Sequence, residues 1–358
     1  MIYRHIFRFI LLLACMVVLL GLARVIPYFL NNRAEKSLCL YTWQEKIDEQ
    51  LLQQFEQQTG IKIYVNYYES NEELLTKLSL AQEPDCDIML PTAFMVEYLN
   101  KVGLLAKLDK NKLPFLKDLY PDFLNTIYDP NNDYSLPLYW DFLAIGYTHS
   151  YFPDGLPMNS WNLIFNESDV PCPKISMLED ARDAISIVLL YLGLPFVALQ
   201  EKDRQAIINV FIEQRKWVGV YTDFLSGYYL TSKTYPLAVS QRENLVQEMV
   251  DNPDIGVILP DEGSLLFMDN IVMSSHCKHP EWAYEFINFL FSKEAVEHNC
   301  AEYCLLPTRQ DVAEELDFEQ VQISDILPGQ ARFKSLRNLP NILTPKQFTD
   351  IWIYCRAS

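Results

Sequence analysis

The sequence has 358 residues, half of them apolar or aromatic, and a formal net charge of −18. This length suits two lobes better than one core, and the even composition predicts a globular body without a long disordered tail. The acidic charge repels nucleic acid and anionic substrates, so no nucleic-acid partner is expected.

The first residues differ from the rest of the chain. A basic start at residues 1–8 precedes an uncharged run from Phe9 to Ala23. This pattern predicts a secretory signal within residues 1–30, because the run is short for a bilayer span of about 20 residues. Two alternatives stay open, namely lipidation at Cys15 and retention of the segment as a membrane anchor. After residue 23 there are 27 basic and 47 acidic side chains, a net charge of −20 that attracts cations.

The next part of the chain alternates strands with helices. In order, the pattern predicts a strand at Ser37–Trp43, a helix ending at Gly60, a strand at Ile61–Tyr67, a helix at Asn71–Leu80, a strand at Asp87–Leu90 and a helix at Phe94–Val102. Alternation at this spacing predicts a parallel sheet covered by helices.

A turn-rich stretch at Asp129–Asp133 and an extended run at Leu136–Tyr147 interrupt this alternation. Further strands are predicted at Lys174–Met177, Trp217–Tyr221, Pro236–Val239, Asp254–Leu259 and Leu265–Met273. Further helices are predicted at Asp180–Leu192, Lys202–Arg215, Pro280–Phe291 and Pro345–Tyr354. The simplest architecture is α/β, with two lobes joined by extended crossovers near Leu136–Tyr147 and Leu259–Met273.

This architecture implies domain boundaries. Residues 37–137 form the first part of lobe 1, and residues 138–262 form lobe 2. Residues 263–320 return to lobe 1, and residues 321–358 form a C-terminal helical segment that packs on the lobes.

Candidate ligand-binding residues follow the predicted strands, because ligands of open α/β sheets lie beyond the carboxyl ends of strands. They are Trp43, Gln44, Glu45, Thr92, Phe94, Asp180, Asp183, Tyr221, Asp223, Phe267 and Asp269. Several aromatic side chains beside acids indicate a cage for a cation. Core packing would explain any one of these aromatics alone. Asp180 and Asp183 would also cap a helix and complement its dipole.

Several kinds of chemistry are not expected. No two of the eleven glycines are closer than seven positions. This spacing excludes the dinucleotide-binding motif G-x-G-x-x-G, the phosphate-binding P-loop and the nucleophile elbow G-x-S-x-G of serine hydrolases. No histidine falls at a predicted strand end to act with the carboxylates, so we expect no catalytic residues and no enzyme activity. Two short groups could in principle bind zinc, namely His276, Cys277 and His279, and His298, Cys300 and Cys304. A loop such as His276–His279 is more often a solvated turn, so neither a metal nor another cofactor is expected.

Eight cysteines leave seven when Cys15 is set aside, so a complete set of disulfides cannot form within one chain. Cys300 and Cys304 are expected on one helical face. One or two bridges stay possible in an oxidising compartment.

Blocks of sequence at several places occur in the order found in a known family. They are Leu40–Glu45, Phe55–Lys62, Tyr68–Glu72, Asp129–Pro137, Glu179–Arg182, Leu259–Gly263, Phe267–Asp269 and Leu306–Thr308. Together they resemble the spermidine/putrescine-binding periplasmic proteins of ABC importers over about residues 38–310.

The resemblance implies a type II periplasmic-binding-protein-like fold with a ligand in the cleft between the lobes. It implies a monomer in the periplasm that binds spermidine or putrescine and delivers it to permease subunits in the inner membrane. The residues that correspond to the ligand contacts of that family are Trp43, Glu45, Asp180, Asp183 and Asp269.

The sequence also departs from the family pattern. Phe94 and Leu306 replace tyrosines, Phe267 and Ser240 replace tryptophans, and Lys46 replaces an aromatic residue. We therefore expect a polyamine-binding protein with altered preference or lower affinity. Two alternatives are the same fold binding another organic cation or a metal ion, and a structural or sensory protein with a degenerate cleft.

Overall fold

The computed structural model describes residues 36–80, 86–169, 174–197, 199–315, 333–338 and 343–357. The leader predicted within residues 1–30 lies outside these ranges, as do Cys15 and Cys172. Within them, no helix is both long and apolar enough to cross a membrane. No disulfide joins any two of the described cysteines.

The strands and helices alternate along most of the chain. The strands are β1 Ser37–Thr42, β2 Lys62–Tyr67, β3 Ile88–Met89, β4 Ser135–Thr148, β5 Ile175–Met177, β6 Val218–Tyr221, β7 Leu237–Gln241, β8 Ile255–Ile258, β9 Leu265–Met273, β10 Leu306–Pro307 and β11 Arg337–Asn338. The helices are α1 Glu49–Thr59, α2 Asn71–Leu80, α3 Ala93–Lys101, α4 Asn162–Phe165, α5 Ala181–Tyr191, α6 Glu201–Gln214, α7 Ser226–Thr231, α8 Arg242–Asp251, α9 Pro280–Leu290, α10 Lys293–Tyr303, α11 Gln310–Ala313 and α12 Pro345–Ala357.

The predicted elements are confirmed to within a few residues at their ends. Gly60 ends α1 with a left-handed φ of +71°, as expected for a helix C-terminus. The short helices α7 and α8 of the second lobe are not predicted from the sequence. The prediction that Cys300 and Cys304 share one face of a helix is wrong, because α10 ends at Tyr303 and Cys304 has a φ of +54°.

The sheet follows the order β2-β1-β3-β9-β4-β7-β5-β6, with β8 and β10 also paired to β4 and β11 paired to β9. β1 is parallel to β2 and β3, and β5 is parallel to β6 and β7. β4 connects the two halves. Its residues 135–142 pair with β9, and its residues 143–148 pair with β7 and β8.

The two largest hydrophobic clusters among the described residues correspond to the two lobes. Leu136 and Leu138 of β4 belong to the first core, which also contains the buried Phe286 of α9. Leu143 and Ile145 of the same strand belong to the second core. A single strand therefore passes from one core into the other.

The C-terminal helix packs on the second lobe. α12 contacts α5 and α6, and its Phe348 and Trp352 are part of the second core. The short strand β11 lies parallel to β9, where Arg337 pairs with Leu265. The described part of the C-terminal segment thus lies against the second lobe and one connecting strand.

Candidate functional site

The loop that follows β1 places adjacent polar side chains in opposite environments. Gln44 and Glu45 are exposed, and Glu45 has a left-handed φ of +56°. Lys46, the next residue, is only 7% exposed. The loop ends at Asp48, whose Oδ1 accepts a hydrogen bond from the backbone N of Gln50 at 3.0 Å and so caps α1. The loop therefore presents Glu45 to solvent and Lys46 to the interior.

The ammonium of Lys46 lies between two carboxylates from distant parts of the chain. Its Nζ is 2.6 and 2.7 Å from the two carboxylate oxygens of Glu243 in α8, and 3.2 Å from Oδ2 of Asp269 in β9. The side chains of Lys46, Glu243 and Asp269 are 9, 10 and 14% exposed, so both ion pairs are shielded from water. Burial alone would lower the pKa of Lys46, but the charges of Asp269 and Glu243 outweigh it and raise that pKa. Lys46 is therefore a charged group inside the molecule.

A second buried ion pair adjoins the first. Nε of Arg242 is 2.8 Å from Oδ1 of Asp141 in β4, and the backbone N of Glu243 donates to Oδ2 of Asp141 at 2.9 Å. Three carboxylates, those of Asp141, Glu243 and Asp269, thus face the two cationic groups of Arg242 and Lys46. Burial raises the pKa of Glu243, against the lowering effect of Lys46. The five side chains together form one buried network of ion pairs.

Aromatic and hydroxyl groups of the first lobe lie beside Asp269. Thr92 forms a backbone bridge with Asp269, and the ring centroids of Trp43 and Tyr68 are 4.4 Å apart. The hydroxyl of Tyr68 donates to the carbonyl of Leu90 at 2.5 Å, and burial raises its pKa, with the charge of Asp269 adding to the rise. Nε1 of Trp43 and Oγ1 of Thr92 are buried without a hydrogen-bond partner in the described ranges. Buried polar atoms are usually satisfied, so these two are available to a ligand.

Three aspartates gather at the start of α5. Oδ1 of Asp180 accepts a hydrogen bond from the backbone N of Asp183 at 2.9 Å, which confirms the predicted cap. Oδ1 of Asp223, just after β6, accepts from the backbone N of Glu179 at 2.9 Å and of Asp180 at 3.2 Å. Burial raises the pKa of Asp183 well above its usual value, and the charges of Asp180 and Asp223 add to the rise. Such a cluster favours a bound cation, because a cation relieves the repulsion among the carboxylates.

Arg182, in the first turn of α5, connects this cluster to the first lobe. Its guanidinium carbon is 4.1 Å from the ring centroid of Phe94 in α3 and 5.5 Å from that of Phe348 in α12. Burial lowers the pKa of Arg182, and the charge of Asp183 opposes that effect. The ring of Phe94, which the sequence predicts as a wall for a solute cation, is therefore covered on one face by a cation of the protein itself.

The other two predicted aromatics lie nearer the second core. The ring of Tyr221 is 5.4 Å from that of Trp352, and the guanidinium of Arg356 lies 4.7 Å from the Tyr221 centroid. Phe267 and Asp269 lie inside β9 and not after its end, which corrects the expected placement at a strand terminus. Phe267 pairs in register with Asp141, because β9 continues antiparallel to β4 through this point.

The structure groups most of the predicted site residues on two sides of the connecting strands. The group on the first-lobe side consists of Trp43, Thr92 and Asp269. The group on the second-lobe side consists of Asp180, Asp183 and Asp223. Arg182 lies between this second group and the ring of Phe94. Gln44 and Glu45 face solvent at the end of β1.

Sequence reasoning does not identify Asp141, Arg242 or Glu243 as part of the site. Asp141 is an acid in the middle of an otherwise apolar extended run, and that contrast is a usable signal. Arg242 and Glu243 begin a short helix whose apolar positions Leu245 and Val246 are buried. Recognising that helix would have placed both charges after a strand.

A histidine of one group considered for zinc contacts its sequence neighbours. Within the described ranges, no three His, Cys, Asp or Glu side chains are grouped as metal ligands. The ring of His279 stacks on Trp282 with centroids 3.7 Å apart, and its Nδ1 is 3.2 Å from Oε1 of Glu281. These contacts are typical of a surface turn at the start of a helix.

Comparisons with known proteins identify the family and the fold. Residues 50–323 match the bacterial extracellular solute-binding protein family. The spermidine/putrescine-binding periplasmic protein of Escherichia coli K12 is 31% identical over 283 residues, which cover 78% of this chain and 79% of that relative. The putrescine-binding periplasmic protein SpuD of Pseudomonas aeruginosa is 27% identical over 335 residues, which cover 88% of this chain and 91% of that relative.

A solved structure gives the same result for the fold. The spermidine/putrescine substrate-binding protein PotD of Streptococcus pneumoniae, in complex with calcium and HEPES, has a TM-score of 0.79 to this structure at 23% identity. The superposition covers 90% of this chain and 99% of that one. With its two lobes of the type II periplasmic-binding-protein fold, the chain belongs to the bacterial extracellular solute-binding protein family.

Proposed function

We propose that this protein is the periplasmic substrate-binding component of an ABC importer and that its solute is a polyamine of the putrescine and spermidine class. The observation that carries the proposal is the cluster of Asp180, Asp183 and Asp223 beside Arg182, whose guanidinium lies over the ring of Phe94. The named relatives from E. coli and P. aeruginosa, which bind spermidine and putrescine or putrescine, support the same solute class.

The chemistry of polyamines suits this arrangement. A polyamine consists of ammonium groups separated by methylenes, so its site needs carboxylates at intervals and aromatic walls between them. An ammonium buried without a partner would be very costly, so each one is expected to meet an acid. Asp183 supplies an acid on the second-lobe side, and Trp43 with Tyr68 supplies an aromatic wall on the first-lobe side.

Binding would be coupled to a hinge motion. Since β4 and β9 connect the lobes, a solute that contacts both lobes stabilises the closed arrangement over the open one. The closed form would then deliver the solute to permease subunits in the inner membrane. The protein would act as a monomer, held in the periplasm with or without its leader, and would carry out no covalent chemistry and need no cofactor.

Isothermal titration calorimetry on the exported protein, as purified from cells, tests this proposal. Putrescine or spermidine should bind with a Kd in the micromolar range or tighter, about −8 kcal/mol or more favourable. Succinate, a dicarboxylate of similar length, is the control and should give no heat. Absence of binding by every polyamine up to about 1 mM, which corresponds to about −4 kcal/mol, would contradict the proposed solute class.

The ion pairs of Lys46 favour a second candidate, the same fold holding another organic cation. Asp269 is already paired with Lys46, so fewer acids are left for the solute than a polyamine of several charges needs. A thermal-shift panel of organic cations separates the two candidates, because a ligand at 100 times its Kd stabilises the folded state by about 2.7 kcal/mol. A cation that is not a polyamine and gives the largest shift would favour the second candidate.

A further inference from the structure

We propose that Lys46 is a built-in ammonium that occupies one cation position of the cleft and restricts the solute to short amines. Lys46 would then be a specificity-determining residue. The inference rests on the proposed function and adds the length and charge of the solute to it.

The contacts of Lys46 are those that an amine solute would make. Its loop belongs to the first lobe, Glu243 begins α8 of the second lobe, and Asp269 lies on the connecting strand β9. A single ammonium on a flexible chain of methylenes thus joins acids of both lobes. Lys46 and Glu243 are 197 positions apart in the sequence, so this is a contact between lobes and not a local one.

A solute ammonium is poorly placed to compete for this position. Lys46 is covalently attached, so its effective concentration at Glu243 and Asp269 is high, whereas a free solute must give up its translational freedom to bind. Displacing Lys46 would also leave its ammonium inside the protein without its partners, and a buried charge without a partner is strongly unfavourable. The Asp269 end of the cleft is therefore occupied.

The second-lobe end differs in its balance of charge. Asp180 and Asp183 lie near the guanidinium of Arg182, and the carboxylate of Asp223 accepts a hydrogen bond from the backbone N of Asp180 at 3.2 Å, so three acids there face one cation. A solute ammonium would bind at this cluster. A short amine anchored there does not need Asp269, whereas a longer triamine would carry a further ammonium toward Lys46, where the nearest acids are already paired.

The test compares putrescine with spermidine by calorimetry in the exported protein and its Lys46 variants. We expect the unaltered protein to bind putrescine at least ten times more tightly than spermidine. Lys46→Met removes the charge and keeps most of the hydrocarbon stem, and it should tighten spermidine binding at least tenfold with a much smaller change for putrescine. Lys46→Arg keeps the charge and should keep the original preference.

Two further variants make the result interpretable. Lys101→Met removes an exposed charge from the same lobe and controls for the change in net charge. Lys46→Gln removes the charge but keeps a hydrogen-bond donor between Glu243 and Asp269. It replaces Lys46→Met if that variant does not fold. Thermal unfolding without ligand shows whether each variant is folded. Spermidine affinity should rise in this variant as well.

The outcomes separate this inference from the proposed function. If the unaltered protein binds spermidine as tightly as putrescine, or if a folded uncharged Lys46 variant keeps the original preference, the inference is wrong while the proposed function stands. If the unaltered protein and the folded variants bind no amine at all, both are wrong.

Discussion

The guanidinium of Arg182 in the second lobe lies over the ring of Phe94 in the first lobe, with 4.1 Å between the guanidinium carbon and the ring centroid. This contact joins the lobes directly beside the three-aspartate cluster. A cation–π contact of this kind contributes about 1 kcal/mol, or about a fivefold change in an equilibrium constant.

Phe94→Leu should therefore weaken polyamine binding about fivefold, because the closed arrangement loses a contact between the lobes. Calorimetry with putrescine measures the effect. Tyr98→Leu, on the exposed part of the same helix, is the matched control and should change the affinity by less than about twofold. Equal effects of the two variants would show that the Arg182 contact does not support the closed form.

The most sensitive carboxylate should be that of Asp183. Asp183→Asn should weaken polyamine binding by about 2 kcal/mol, or roughly thirtyfold, because a charge-assisted hydrogen bond to the ammonium is lost. Glu213→Gln removes one acidic charge from an exposed position of the second lobe and should have almost no effect. An unchanged affinity in Asp183→Asn would exclude this aspartate from the site.

The raised pKa of Asp183 also predicts a pH dependence of binding. Burial and the charges of Asp180 and Asp223 raise the pKa of Asp183 in the empty protein, so a bound ammonium and a proton compete for this carboxylate. Affinity should therefore rise as the pH is raised from about 5 to about 8, and proton release should be detected by calorimetry in two buffers of different ionisation heat. Asp183→Asn should abolish most of this release. A constant affinity over this range would contradict the prediction.

Much of the site could be predicted because it depends on local order in the sequence. The acids and aromatics that follow the strands, such as Trp43 and Asp183, can be located from the alternation of strands and helices alone. The inward orientation of the Lys46 side chain cannot be predicted in this way. It depends on the left-handed backbone at Glu45 and on partner acids 197 and 223 positions away, at Glu243 and Asp269. Contacts of that kind appear only when both lobes are assembled.

The buried pair of Arg242 and Asp141 should be important for stability. Arg242 is fully buried, so Arg242→Met would leave the charge of Asp141 without its partner and lower the free energy of unfolding by about 3–5 kcal/mol. Lys346→Met breaks the exposed pair with Asp350 and should cost less than about 1 kcal/mol. Chemical denaturation of both variants measures the difference. Similar losses in the two would mean that the buried pair adds nothing beyond a surface pair.

Two glycines with similar backbone conformations should respond differently to alanine. Gly155 and Gly263 have φ values of +86° and +91°, which alanine adopts at a cost of about 1–2 kcal/mol. A Cβ at Gly155 would meet open space, but one at Gly263 would lie 2.2 Å from the carbonyl oxygen of Ser335. Gly263→Ala should therefore destabilise the protein by a further 1–3 kcal/mol or so, measured as the free energy of unfolding in denaturant. Equal losses would show that the segment around Ser335 moves away without cost.

The path of β4 has a consequence for how the molecule unfolds. The first half of β4 packs in one hydrophobic core and its second half packs in the other. Unfolding of either core therefore disrupts the strand that the other core also contains. Heating should therefore produce one cooperative transition and not two separable ones, and a protease should not release either lobe as an intact fragment. The strand that connects the lobes should therefore also make them a single folding unit.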